Sequence, residues 1–391
     1  MQVAKIRNQG QRRFLIPFLL TVLVAAVTMF LAPQAEAGLI SKEEEINMGR
    51  DTARQLEAQY GLYQDPAAQD RVNRIGQSLV AVCGRKDLPY TFKILNADEI
   101  NAMACPGGFV YVFKGLLDYM PSDAELAGVL GQEIGHVVKR HTVNQIEKNM
   151  WTTIGLIIAT GGRDIGLASM ASQALAAGYS RTDERGADKE GFTYSVRAGY
   201  NPYSMMLTLR KLDDLSKQQK TPNYGLWSDH PEPEERVAVI TKMQAPLQIK
   251  PSVKVNADGS ATVSEGSWNF NLTSGHGNDK PEYRAMALAG GLWCVRQRGQ
   301  IDPNRFIVDD EGAQATIYYD DIQILTVYNL DAGSFGSAGA YAGACTDLLR
   351  QWAAQVNAAG NYAKTDSSGS KKAVAPVDKK DISTQQIKKA A

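Results

Sequence analysis

The stretch Ser122–His141, SDAELAGVLGQEIGHVVKRH, constrains this chain more than any other. Ser122, followed three residues later by Glu125, has the form of a capping box. In such a box the hydroxyl and the carboxylate each satisfy a free backbone N–H of the other residue, so a helix is expected to start here. Leu126, Val129, Leu130, Val137 and Val138 recur at helical spacing and would form its buried face. Gln132 and His136, four apart, project from one side, with Glu133 between them. The apolar pattern carries the expected helix on to about Met150.

In the motif H-E-x-x-H two imidazoles hold zinc and the Glu activates a water. Here the residues are Gln132-Glu133-Ile134-Gly135-His136, so an amide stands where the first imidazole belongs. An amide oxygen is neutral and a weaker donor to zinc than an imidazole nitrogen. The chain holds four histidines: His136, His141, His230 and His276. On a continuous helix His141 would point roughly 140° away from His136, so it is not expected to replace the missing ligand. His230 could, by swinging in. The substitution leaves two readings of different kinds. One is a zinc peptidase with weak or conditional metal binding. The other is a pseudo-peptidase that holds polypeptides or partners without cutting them.

The segment ELAGVLGQEIGHVVKRH, with NAMACPGGFVYVFKGLL before it and YSRTDERGADKEG after it, resembles the HtpX-like and BepA-like zinc metallopeptidases, gluzincins related to the CAAX prenyl proteases. The resemblance covers about Ile40–Met243. It implies a mainly helical, zincin-like domain with a small sheet, and Zn2+ as cofactor. It implies Glu133 as the catalytic base, with His136 and the position of Gln132 as metal ligands. Glu184 of the E-x-x-A-D segment becomes a further ligand, and Asp188 the residue that orients a ligand. His230, in Asp229-His230-Pro231, would approach the metal and gate the site. Strand Phe109–Phe113 would lie beside the active-site helix with an exposed edge, to which an extended peptide could add. Without the resemblance, Glu184 and Asp188 are a solvated carboxylate pair on one helix face, and His230 a surface histidine.

Lys5, Arg7, Arg12 and Arg13 precede the apolar run Phe14–Ala32, and Ala35-Glu36-Ala37 offers a small-x-small cleavage site before Gly38. Residues 1–37 are therefore expected to be a signal peptide or an uncleaved N-terminal anchor. The chain would cross the inner membrane into the periplasm or cell envelope, where unfolded or misfolded envelope proteins are the expected substrates. Lys and Arg total 42, as do Asp and Glu, so no global charge argues for nucleic acid. Four cysteines suit an oxidising compartment; the simplest pairing is Cys83–Cys105 and Cys294–Cys345, the alternative four buried thiols. No Cys-x-x-Cys occurs, which argues against a Cys-type zinc site.

Trp151–Thr160 and Ile165–Ala177 are apolar but too short to span a bilayer. They are expected to be buried helices or a flap over the site, with peripheral membrane contact as the sharper alternative. Past Ala245–Pro251 the pattern changes. Val253–Val255 and Ala261–Val263 flank Asp258-Gly259 as a hairpin, and Trp268, Phe270 and Leu272 alternate. Arg284–Arg296 suits a helix or a strand. Phe306–Val308, Ala315–Tyr319 and Ile322–Tyr328 suit strands, and Ala340–Ala359 a helix. The expected fold class is α+β: a metallopeptidase-like domain over 38–247, a small α+β accessory domain over 252–360, and a disordered Lys/Ser/Ala tail over 363–391. The pattern sets no oligomeric state.

Overall fold

The computed structural model describes residues 39–160, 167–218 and 233–363. The expected signal segment, His230 and the Lys-rich tail from residue 364 lie outside the described residues. The fold is α+β, as expected.

Two helices come first, α1 (Lys42–Tyr60) and α2 (Pro66–Val80). Asp65 accepts the Ala68 N–H and Pro66 opens α2, a cap followed by a residue whose missing N–H costs nothing there. Strands β1 (Thr91–Leu95), β2 (Ala102–Cys105) and β3 (Phe109–Phe113) form a sheet in the order β1-β3-β2. β1 runs parallel to β3, and β2 pairs antiparallel with it, Ala102 opposite Val112 and Cys105 opposite Phe109. One expectation fails here: Phe109–Phe113 has a partner on each side and offers no open edge. Gly107 and Gly108 supply the reason. Their φ values of 74° and 95° turn the chain back within three residues, so that β3 folds alongside Ala102–Cys105. The sheet edge on this side therefore belongs to β2.

After α3 (Lys114–Tyr119), the motif helix α4 spans Asp123–Val138 with both halves of the Ser122/Glu125 capping box in place. It stops well short of Met150. Lys139 caps it, Arg140 takes a left-handed φ of 56°, and α5 (His141–Thr160) leaves in a new direction. That conformation costs a non-glycine residue roughly 1–2 kcal/mol. Buried Glu45 offsets the cost, accepting from Arg140 Nε at 3.1 Å while both of its oxygens also hold Arg85. The remaining helices of this part are α6 (Leu167–Ala177), α7 (Arg181–Arg197), α8 (Ser204–Gln218) and α9 (Pro233–Gln244). The run Trp151–Thr160 continues α5, and α6 rests against α1, where Ser172 Oγ donates to Gln55. Among the described residues no helix is long and apolar enough to cross a membrane.

Every residue of α4 from Glu125 to Val137 is buried, not one face only. Leu126, Val129, Leu130 and Ile134 share a core with Val72, Ile75 and Leu79 of α2 and Ile94, Val110 and Val112 of the sheet. The opposite side meets α7 almost backbone to backbone. A Cβ on Gly131 would lie 2.9 Å from the Gly191 carbonyl oxygen, and one on Gly135 2.7 Å from that of Ala187. Small residues four apart on each helix thus let α4 and α7 close on one another. Gly135→Ala gains about 1 kcal/mol of helix propensity but overpacks a contact of the kind that costs about 1–3 kcal/mol. We expect a net loss of stability in urea unfolding and a measurable drop in Tm.

The C-terminal part repeats one order of elements. β4 (Ser252–Val255), β5 (Ala261–Glu265) and β6 (Trp268–Leu272) form an antiparallel meander followed by α10 (Pro281–Gln297). β7 (Phe306–Asp310), β8 (Gln314–Tyr319) and β9 (Ile322–Tyr328) do the same before α11 (Ala338–Ala358). Residues from both units fill one core, and Trp352 of α11 donates to Glu265 of β5 at 3.0 Å. Arg284–Arg296 is thus helical. Buried Lys211 of α8 joins this part to the motif helix, pairing with Asp279 at 2.5 Å and with Glu125 of the capping box. All four cysteines are buried free thiols. Cys83 and Cys105 lie in different apolar clusters, as do Cys294 and Cys345, so the expected pairing is replaced by its alternative.

Candidate active site

Two helices bring the expected residues together. Gln132, Glu133 and His136 come from α4, and Glu184 and Asp188 from α7; none of the five is more than 2% exposed. Burial overturns the solvated-pair reading of Glu184 and Asp188. The small-residue contact between α4 and α7 sets their approach, leaving His136 Nε2 3.5 Å from Glu184 Oε1. Gln132 Nε2 donates to the other oxygen of Glu184 at 2.9 Å. His230 lies outside the described residues.

Arg236 of α9 is a partner that the sequence reading missed. Its Nε and one terminal nitrogen donate to the two oxygens of Asp188, each at 2.7 Å, and a guanidinium nitrogen stands 3.2 Å from Glu184 Oε2. Burial opposes the Arg236 charge, but Asp188 and Glu184 outweigh it and keep its pKa above the ordinary value. In sequence this arginine follows Pro-Glu-Pro-Glu-Glu and has the look of a solvated helix start.

Two more neighbours of His136 went unanticipated. The Tyr179 ring stacks on it, centroids 3.9 Å apart and planes at 26°, while the Tyr179 hydroxyl is hydrogen-bonded to Thr142 Oγ1 at 2.8 Å. His141 contradicts its expected orientation: its Nδ1 lies 3.0 Å from His136 Nδ1. The kink at Arg140 is the reason, because it ends the helical register that would have carried His141 around to the far side. Burial lowers the His141 pKa, against the pull of the Asp183 and Glu184 carboxylates. After burial itself, the Glu133 charge is the next largest influence raising the Cys105 thiol and the Tyr179 hydroxyl.

The donor set has a definite relation to zinc. Two ligands about 2.0–2.2 Å from one tetrahedral ion lie roughly 3.3–3.6 Å apart. The separation of His136 Nε2 and Glu184 Oε1, 3.5 Å, falls in that interval. The third position is the amide of Gln132. Accordingly, among the described residues no three His, Cys, Asp or Glu side chains are grouped to hold a metal ion. The spacing of this pair is compatible with zinc; the Gln132 amide would be a weak third donor.

A buried helix that presents Glu-x-x-His to a carboxylate on a second helix is part of the H-E-x-x-H zinc-site pattern, with an amide here in place of its first imidazole. Residues 66–244 match the model of Peptidase family M48. It is 30% identical over 212 residues to the "Beta-barrel assembly-enhancing protease" of Yersinia pestis, covering 51% of this chain and 43% of that protein. It is 27% identical over 217 residues to the "Mitochondrial metalloendopeptidase OMA1" of Schizosaccharomyces pombe, covering 54% and 64% respectively. To "Metalloprotease LoiP" of Escherichia coli (strain K12) it is 26% identical over 163 residues, covering 39% and 62%. The match thus spans less than half the length of the first of these relatives.

Proposed function

We propose that the protein is a metalloendopeptidase of the cell envelope that cuts unfolded or misfolded envelope proteins. The observation that carries this is the 3.5 Å spacing of His136 and Glu184 beside buried Glu133. His136 and Glu184 would hold the zinc ion, with the Gln132 amide oxygen or His230 completing the set and Asp188 keeping the α7 side of the site oriented. Zinc there would lower the pKa of a water towards about 7 and polarise the scissile carbonyl. Glu133 takes the proton of the attacking water and passes it to the leaving amine. An extended substrate would add to the edge of β2, which replaces Phe109–Phe113 in this role, through backbone hydrogen bonds. The names of the relatives, a beta-barrel assembly-enhancing protease, a metalloendopeptidase and a metalloprotease, agree with this reading. Residues 1–37 direct export or anchor the chain, residues 38–247 form the peptidase domain, and residues 252–360 form the accessory domain.

One observation favours a pseudo-peptidase instead. Gln132 and Arg236 both engage Glu184 Oε2, giving the carboxylate protein partners where a metal would otherwise balance it. Zinc titration of the exported chain against a chromophoric chelator separates the readings. Gln132→His is expected to raise zinc affinity by at least about 10–100-fold, the range lost when even a ligand's supporting partner is removed. Zinc bound by the parent chain, with cleavage of an unfolded polypeptide, supports the peptidase. Zinc and cleavage only in Gln132→His support the pseudo-peptidase. No gain in zinc affinity would remove His136 and Glu184 as ligands.

A further inference from the structure

His136 belongs to a line of four titratable side chains. Asp183 Oδ1 lies 3.6 Å from His141 Nε2, His141 Nδ1 lies 3.0 Å from His136 Nδ1, and His136 Nε2 lies 3.5 Å from Glu184 Oε1. The line has three gaps. Neutral imidazoles carry one N–H each, so two hydrogens serve the three gaps. The middle gap must hold one of them, because two lone pairs facing at that distance repel and two N–H groups collide. The other hydrogen lies towards Asp183 or towards Glu184. If it lies towards Glu184, His136 Nε2 carries it and cannot ligate a metal. If it lies towards Asp183, His136 Nε2 is the lone-pair nitrogen.

The two ends of the line are not equivalent. Glu184 stands 3.2 Å from the Arg236 guanidinium and accepts from the Gln132 amide. Asp183 is engaged by neutral donors, the hydroxyl and backbone N–H of Ser180. A carboxylate whose charge is offset by a cation draws a shared hydrogen less strongly than one bound by neutral groups. A metal-ligating histidine ordinarily donates its second N–H to a carboxylate, a carbonyl or water. Here the acceptor is another imidazole, backed by an aspartate.

We propose that His141 is a positioning residue for His136. With its Nε2–H towards Asp183, it accepts the Nδ1–H of His136 and leaves Nε2 of that ring as the lone-pair nitrogen, oriented for a divalent cation. The identity of the cation rests on the peptidase reading; the hydrogen assignment does not.

Long-range 1H–15N NMR on the metal-free full chain decides it, at pH about 8 so that histidines with an ordinary pKa of about 6.5 are neutral. Four histidines, assigned by single substitutions, keep the spectrum readable. We expect hydrogen on His136 Nδ1 and His141 Nε2. His141→Asn places an amide oxygen where Nδ1 stood and keeps the His136 tautomer. His141→Phe keeps an aromatic ring without an acceptor and shifts the His136 hydrogen to Nε2. In zinc titration the Phe variant should bind about 10–100-fold more weakly and the Asn variant close to the parent. A hydrogen on His136 Nε2 in the parent chain, or one His136 tautomer common to both variants, overturns the proposal. The parent and Asn spectra decide it even should the Phe variant fail to fold. A parent chain that binds no zinc yet shows the expected tautomers defeats the peptidase reading and supports the role of His141.

Discussion

Glu133→Gln is expected to lower cleavage of an unfolded polypeptide by about 10²–10⁴-fold, the usual contribution of a positioned general base. The substitution keeps the volume and shape of the side chain on a helix where every neighbour is packed, and α4 has no room for a larger change. It removes the basic oxygen alone. The zinc content and Tm of the variant should therefore match those of the parent, and the loss should fall on kcat more than on KM. The check is kcat/KM on a quenched-fluorescence unfolded substrate, beside metal analysis of the same preparation. Retained activity in a zinc-loaded variant would take the base role away from Glu133. Equal inactivity of parent and variant would instead place the chain with the pseudo-peptidases.

The largest effect on stability is expected at Arg236. Removing one member of a buried ion pair leaves a charge without its partner and costs roughly 3–5 kcal/mol. Arg236→Leu would strip the paired donors from Asp188, itself fully buried, and a nearby cation from Glu184. Urea unfolding followed by far-UV circular dichroism measures the difference. Arg236→Lys should recover only part of it, since an ammonium cannot match the two-point grip of the guanidinium on Asp188. Adding Asp188→Asn to Arg236→Leu should restore stability relative to Arg236→Leu alone, because the stranded carboxylate is then neutral. A cost below about 1 kcal/mol, the range of surface pairs, would mean that solvent reaches this pair.

These two expectations differ in how visible their residues are in the sequence. Glu133 is fixed by its place between Gln132 and His136 on a helix whose start is announced by Ser122 and Glu125, all within about four turns of one element. Glu184 and Asp188 carry a motif but no sign of burial, and only the approach of α7 to α4 excludes water from them. Arg236 carries no such sign at all. Its role appears when a helix 48 residues further along the chain than Asp188 packs against the site.

What the sequence alone determined is local. It set the capped start of α4, the shared side of Gln132 and His136, the carboxylate pair of α7 and most of the strands. Each of these depends on hydrogen bonds or side-chain spacing within a few residues. What only the tertiary structure decided depends on groups far apart in the chain. Glu45, 95 residues from Arg140, helps to hold the left-handed turn that ends α4 and folds His141 back onto His136. The glycine turn after β2 moves the open sheet edge away from Phe109–Phe113. Close packing of α4 on α7 sets the 3.5 Å gap between His136 and Glu184. A helical pattern records which residues share a face but not what that face will meet, and this site is made by what it meets.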